Sequence, residues 1–243
     1  MTKIFNGFQT ATLTAVLAAS LSASLAFAGI AKAEGPANST KLLTAQFEPR
    51  HVVQVEVGDF HFKPGQVAPL HTHSAPAVGY VAKGEIIYQI EGEKPQILRA
   101  GDAFYEPVGP KIVRFDNASA TEEAIFLDFN LEQEGEPFIV FLDQPTEAID
   151  RRTLPTIDIA DKMVSKVDVF ESYLLPSGSI NPTVGEPTMG IVAEGIIEFT
   201  IKGGKTQRIV AGSSFAIPAK ASGASIVNAS AEVPAKVITY TLK

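Results

Sequence analysis

Slid along itself by 111 positions, this sequence matches without a gap over two long segments. Residues 79–120 read GYVAKGEIIYQIEGEKPQILRAGDAFYEPVGPKIVRFDNASA, and residues 190–231 read GIVAEGIIEFTIKGGKTQRIVAGSSFAIPAKASGASIVNASA; 17 of the 42 pairs are identical. A repeat of this length is one structural unit built twice, which restricts the architecture before any other property is considered. The identities fall on residues that shape the backbone: Gly84 with Gly195, Gly92 with Gly203, Gly101 with Gly212, Pro107 with Pro218, Asn117 with Asn228. Gly reaches turn conformations closed to other residues and Pro fixes φ at strand edges, so the same turns recur. Between the turns the apolar period is two. Ile86, Tyr88 and Ile90 alternate with Glu85, Ile87, Gln89 and Glu91; Ile197, Phe199 and Ile201 hold the equivalent positions, and upstream Val53, Val55 and Val57 alternate with Gln54 and Glu56. Short alternating runs punctuated by Gly, Pro and Asn are antiparallel strands with one buried face. The reading is all-β, with one unit over 45–142, a second over 157–243, and a linker over 143–156. Gln144 to Arg152 is the segment best suited to a short helix.

The first 33 residues read as a leader rather than as fold. Lys3 supplies a positive start, Ala11 to Ala28 carries no charge, and small-x-small cleavage candidates end at Ala28 and Ala33. That order describes a secretory signal peptide, so the expected location is periplasmic or secreted. Glu34 to Thr44 reads as a polar, ill-ordered lead-in. The chain has no Cys, so stability after export has to come from packing alone. Net charge is −7, or about −9 without the leader. With no basic run, neither nucleic acid nor an anionic membrane surface is an expected partner. A small molecule is, and exposed edge strands make a homodimer a reasonable expectation.

Two spacings resemble the cupin signature. Gly65 is followed, after five residues, by His71-Thr72-His73, and Gly84 closes that segment; Gly101 is followed, after five residues, by Pro107-Val108-Gly109, and Asn117 ends the stretch. The resemblance covers nearly all of residues 50–240 and implies a bicupin of two tandem jelly-roll β-barrels. It also implies a metal site, from which this chain departs. Ala77 or Val78 stands at the usual Glu position, and Ile112 or Val113 at the usual second-motif His. In the second copy Gly178 opens the first motif, and Val184 and Glu186 take the places of the His pair. No His follows residue 73, so the second barrel is a degenerate copy expected to hold no metal.

His71 and His73, two apart on an expected strand, share a face and can supply half of a site for Mn, Fe, Ni, Cu or Zn. Glu106 is a candidate third ligand, because its repeat partner is Ile217 and no common structural need explains a carboxylate there. Tyr80, Tyr88 and Tyr105 are candidate ligand-binding residues inside the barrel. His61 is expected to face solvent between Phe60 and Phe62, and His51 carries weaker grounds. Glu122, Glu123 and the acids from Glu132 to Glu136 read as solvated loop charge. Asn-x-Ser/Thr runs begin at Asn38, Asn117 and Asn228, but the last two coincide under the repeat, so turn geometry explains them better than glycosylation. Two functions follow. One is small-molecule binding in the first barrel without a complete usual metal site. The other is a metal-dependent enzyme, as dioxygenase or decarboxylase cupins are, acting at His71 and His73 on a small oxygen-rich substrate.

Overall fold

The computed structural model describes residues 38–243, all of its regular structure being β. The leader read over residues 1–33 lies outside the described residues. In the first copy the strands are β1 (Asn38–Phe62), β2 (His71–Thr72), β3 (Ala77–Lys83), β4 (Glu85–Ile90), β5 (Gln96–Arg99), β6 (Ala103–Glu106), β7 (Ile112–Asn117), β8 (Ala124–Glu132) and β9 (Val140–Phe141). In the second they are β10 (Asp150–Leu174), β11 (Ser179–Ile180), β12 (Thr188–Glu194), β13 (Ile196–Ile201), β14 (Gln207–Val210), β15 (Ser214–Ile217), β16 (Ala224–Asn228) and β17 (Ala235–Leu242).

Each copy is a jelly-roll barrel of two facing sheets. In the first, β6-β3-β8-β1 faces β5-β4-β7-β2-β9; in the second, β15-β12-β17-β10 faces β14-β13-β16-β11. The repeat holds in detail. β4, β5 and β6 bury the same positions as β13, β14 and β15. The side-chain amide of Asn117 donates to the carbonyls of Phe62, Lys63 and Glu122, and that of Asn228 to those of Leu174, Leu175 and Val233. Both Asn residues are therefore buried staples that tie the end of one strand to the start of another.

Three sequence expectations change. Residues 38–46 are not a loose lead-in. They are the first half of β1, paired with residues 166–173 of β10 and so laid against the second barrel. No helix forms in Gln144 to Arg152, where bends run into β10 from Asp150. The expected linker thus ends inside a 25-residue strand, whose first half pairs with the first barrel and second half with β17. Finally, Ser177 rather than Gly178 is the counterpart of Gly65. Both have positive φ (57° and 70°), and their amides bond Ser230 and Ser119 respectively. Glycine reaches positive φ without strain, so the sequence alone points to Gly178 at this turn although Ser177 occupies it.

Crossing β1 and β10 makes one eight-stranded sheet, β15-β12-β17-β10-β1-β8-β3-β6. Alternate residues on its strands point into the barrels or into a third core between them. Phe129, Leu127 and Val78 meet Tyr240, Ile238 and Met189 there, with the Phe129 and Tyr240 rings 4.1 Å apart.

Candidate functional site

The site lies inside the first barrel. β2 is held between β7 and β9, His71 pairing with Ile112 on one side and Phe141 on the other. The backbone of His73 bridges Val108, in the loop after β6. Both imidazoles point inward, 5.5 Å apart at 77° to each other, and both are buried. The third member, Glu106, ends β6 opposite Ala77 of β3. Directly opposed residues on antiparallel strands present side chains to the same face. The carboxylate missing at position 77 is thus supplied from the neighbouring strand, at the same spot on the barrel wall.

Glu106 is 3.5 Å from His71 Nε2 through Oε1 and 3.3 Å from His73 Nε2 through Oε2. Ligand atoms of the three residues all lie within 4.8 Å of one another. His71 Nδ1 is 2.7 Å from the Pro69 carbonyl, to which it donates, so its Nε2 lone pair faces the cluster. His73 Nε2 and Glu106 Oε1 are buried without a hydrogen-bond partner. Buried groups of this kind are normally satisfied. Two imidazole nitrogens and a carboxylate oxygen that converge, with His73 Nε2 and Glu106 Oε1 unsatisfied, fit a divalent first-row metal.

Sequence reasoning missed Asp128. It sits on β8 with its side chain among His71, His73 and Glu106 around the same small cavity, and its Oδ1 is also without a partner. Its signal was a carboxylate among the apolar residues of β8, hidden because Leu127, Asp128 and Phe129 read as one hydrophobic run with a break. Burial, then the Glu106 charge, push the Asp128 carboxyl up to about 7. For His73, burial acts downward but Glu106 more than reverses it, raising the imidazole from 6.5 to about 9. Burial would raise Glu106, yet His73 and His71 hold it well below the carboxylate range. Glu106 and His73 thus favour each other's charged forms, and Asp128 its protonated form, in an apolar setting.

That setting is aromatic. Phe60 stacks on Phe126 at 4.8 Å, Phe115 packs against Phe126, and Phe138 and Phe141 close the mouth from the segment after β8. The space left is about 30 Å³, room for a single water-sized group. Arg151 lies over the Phe138 ring at 3.8 Å, fixing the cap to β10.

The tyrosines separate by the period of their strands. Tyr88 points into the first barrel's core, where its hydroxyl donates to the Tyr105 carbonyl at 2.6 Å. Tyr80 and Tyr105 face the core between the barrels instead, one residue out of phase with Gly79 and Glu106. His61 is partly exposed among Asp59, Glu123 and Arg152, and His51 meets Asp161 at the surface. Glu132, read as loop charge, ends β8 fully buried, accepting from Gln54 at 2.8 Å and Asn130 at 2.9 Å. Glu136 pairs with Arg50 rather than standing free.

Residues 58–130 match the Cupin_2 family, described as a cupin domain. No curated protein matches the chain. Among solved structures, salicylate 1,2-dioxygenase from Pseudaminobacter salicylatoxidans superposes with a TM-score of 0.55 at 14% identity, over 78% of this chain and 71% of that one. AerE from Microcystis aeruginosa gives 0.56 at 16%, over 84% and 98%. Vicilin from hazelnut, Corylus avellana, gives 0.54 at 14%, over 82% and 85%. At these identities the likeness is one of fold. Within the first barrel, residues 58–130 match a cupin domain, and the described chain shares the overall fold of these structures.

Proposed function

We propose that this is an exported bicupin whose first barrel is a mononuclear metal centre acting on a small oxygen-bearing molecule, the second barrel having lost that site. The observation carrying this reading is the convergence of His71, His73 and Glu106, with His73 Nε2 and Glu106 Oε1 among their buried, unpartnered atoms. Two His and one carboxylate are the donor set of non-haem Fe(II) oxygenases, so iron leads among the candidates, ahead of Mn, Ni, Cu and Zn. A metal bound there would supply a Lewis acid or redox centre for an oxygen-bearing ligand. The Pro69 carbonyl orients His71, the Phe cage excludes water, and Asp128, its pKa near 7, can hold or release a proton beside the cluster. A dioxygenase among the structural neighbours agrees with this reading. Export is supported by the leader over residues 1–33.

A second reading, a binding module without catalysis, is favoured by one observation. The cavity beside the cluster is about 30 Å³, too small for an organic substrate unless the Phe138–Phe141 cap moves. Elemental analysis of the untagged protein, begun near Glu34, decides between them. Near-stoichiometric transition metal, lost in His71→Ala/His73→Ala, supports the metal centre and directs a substrate screen. Protein that stays metal-free after incubation with Mn, Fe, Ni, Cu and Zn leaves the binding module. Amino-terminal sequencing of secreted material tests the leader.

A further inference from the structure

The second barrel has a packed core of its own but keeps an open cavity beside it, where the first barrel leaves almost no space. Ser172 stands at the counterpart of Phe60, whose ring helps fill the first barrel; Val237 and Ile226, the counterparts of Phe126 and Phe115, stay packed in the second barrel's core. Beside Ser172 lies an open cavity of about 610 Å³, a size usual for sites that bind small organic molecules. Its wall carries hydroxyls. Thr188, Thr239 and Thr241 stand inward on β12 and β17, at the positions of Ala77, Asp128 and Asn130, and Ser172 and Ser179 join them. Ser172, Thr188 and Thr239 are more than nine-tenths buried. Thr188 and Thr241 lie 3.3 Å apart, oxygen to oxygen, and Ser172 meets Ser39 at 2.7 Å. Among the described residues, no hydrogen bond uses the hydroxyl of Ser179 or Thr239. Inward hydroxyls weaken a core unless something hydrogen-bonds to them.

From this we infer that the second barrel is a binding site for a small, neutral, polyhydroxylated molecule, of sugar or polyol character. Hydroxyl side chains donate and accept, which matches a ligand whose own groups do both. The charged members of the wall argue against an ionic ligand, because both are already paired. Lys243 binds Asp168 at 2.7 Å and Glu186 binds Lys162. The number of hydroxyls argues against an apolar one. Phe170 on the same wall offers an apolar face for the ligand's C–H side. This inference stands apart from the metal centre, whose residues are all in the other barrel.

The test is an NMR titration of isotope-labelled protein begun near Glu34. The probes are D-glucose, D-xylose, myo-inositol and glycerol, with citrate and toluene as the charged and apolar comparisons. At least one neutral polyol is expected to shift Thr239 and Thr241 signals with millimolar or tighter Kd. Thr239→Val/Thr241→Val, which keeps shape and removes two hydroxyls, should weaken that binding about tenfold. Ser172→Phe, which restores the first barrel's filling, should abolish it. Metal content should be the same in all variants. The inference is overturned if no polyol shifts these residues at about 50 mM, if citrate or toluene binds there instead, or if the double variant binds unchanged. Should the double variant fail to fold, Ser172→Ala/Ser179→Ala is read by the same criteria.

Discussion

Glu106 joins the two histidines because β3 and β6 are in register at Ala77. Replacing it by Gln keeps shape and hydrogen bonding but removes the charge that pairs with His73. Metal affinity in Glu106→Gln is expected to fall by ~100-fold or more, beyond the 10–100-fold typical of losing a supporting partner, as a competition titration with a chelating dye would measure. The same cluster sets a pH profile for metal-free protein. Glu106, held near 2 rather than 4.5, contributes stability present above 4.5 and lost as pH falls toward 2. His73, raised to about 9, contributes stability that is full below 6.5 and lost as pH rises through 9. Asp128, raised to about 7, contributes stability that is full below 3.8 and lost as pH rises through 7. The metal-free melting temperature should therefore peak near pH 4–5 and decline toward pH 9. Asp128→Asn, neutral throughout, should recover about 2–4 °C at pH 8. A flat melting profile between pH 5 and 9, or no gain in Asp128→Asn, would show that the cluster is more solvated than its burial implies.

At the scale of strands, each barrel relies on one close approach. A Cβ at Gly79 would lie 2.0 Å from the Phe104 ring, and one at Gly190 2.1 Å from the Phe215 ring. Gly79→Ala and Gly190→Ala should each destabilise by about 1–3 kcal/mol through overpacking, read as a shift in urea midpoint. Their effects on metal should differ. Phe104 is two residues from Glu106 on β6, so displacing its ring disturbs the carboxylate in Gly79→Ala, whereas Gly190→Ala leaves metal affinity as it was. Equal loss of metal in both would mean that the site responds to global stability rather than to β6. Strand periodicity and turn positions were legible from sequence because the side-chain alternation and the Gly and Asn positions are local properties. The pairing partner of residues 38–46 was not, because a polar strand is recognisable only once its neighbour, residues 166–173, is known.

For the whole molecule, the crossed strands β1 and β10 and the core behind them bind the barrels into one unit. Unfolding should appear as a single calorimetric transition, and Phe129→Ala should lower stability by about 3–5 kcal/mol for both barrels together. Two resolved transitions, or a Phe129→Ala loss confined to probes in one barrel, would count against this coupling. Asp168 reinforces it. Despite burial, Lys243, Thr44 and Lys41 hold its carboxyl well below the ordinary range, tying β1's first half to the second barrel.

The sequence by itself determined the all-β class, the duplication, the turns, and the inward His71–His73 pair, because period-two patterning and repeated Gly, Pro and Asn residues act through the local backbone. It also marked Glu106, through the asymmetry with Ile217. Tertiary structure alone decided that this carboxylate replaces the one missing at Ala77, that Asp128 joins it, and that Tyr80 and Tyr105 face away. It also decided that one barrel is filled with rings while the other keeps an open, hydroxyl-lined cavity. These depend on which strand lies beside which and on how side-chain volumes add up across a closed barrel. Neither quantity is carried by any one segment of the chain.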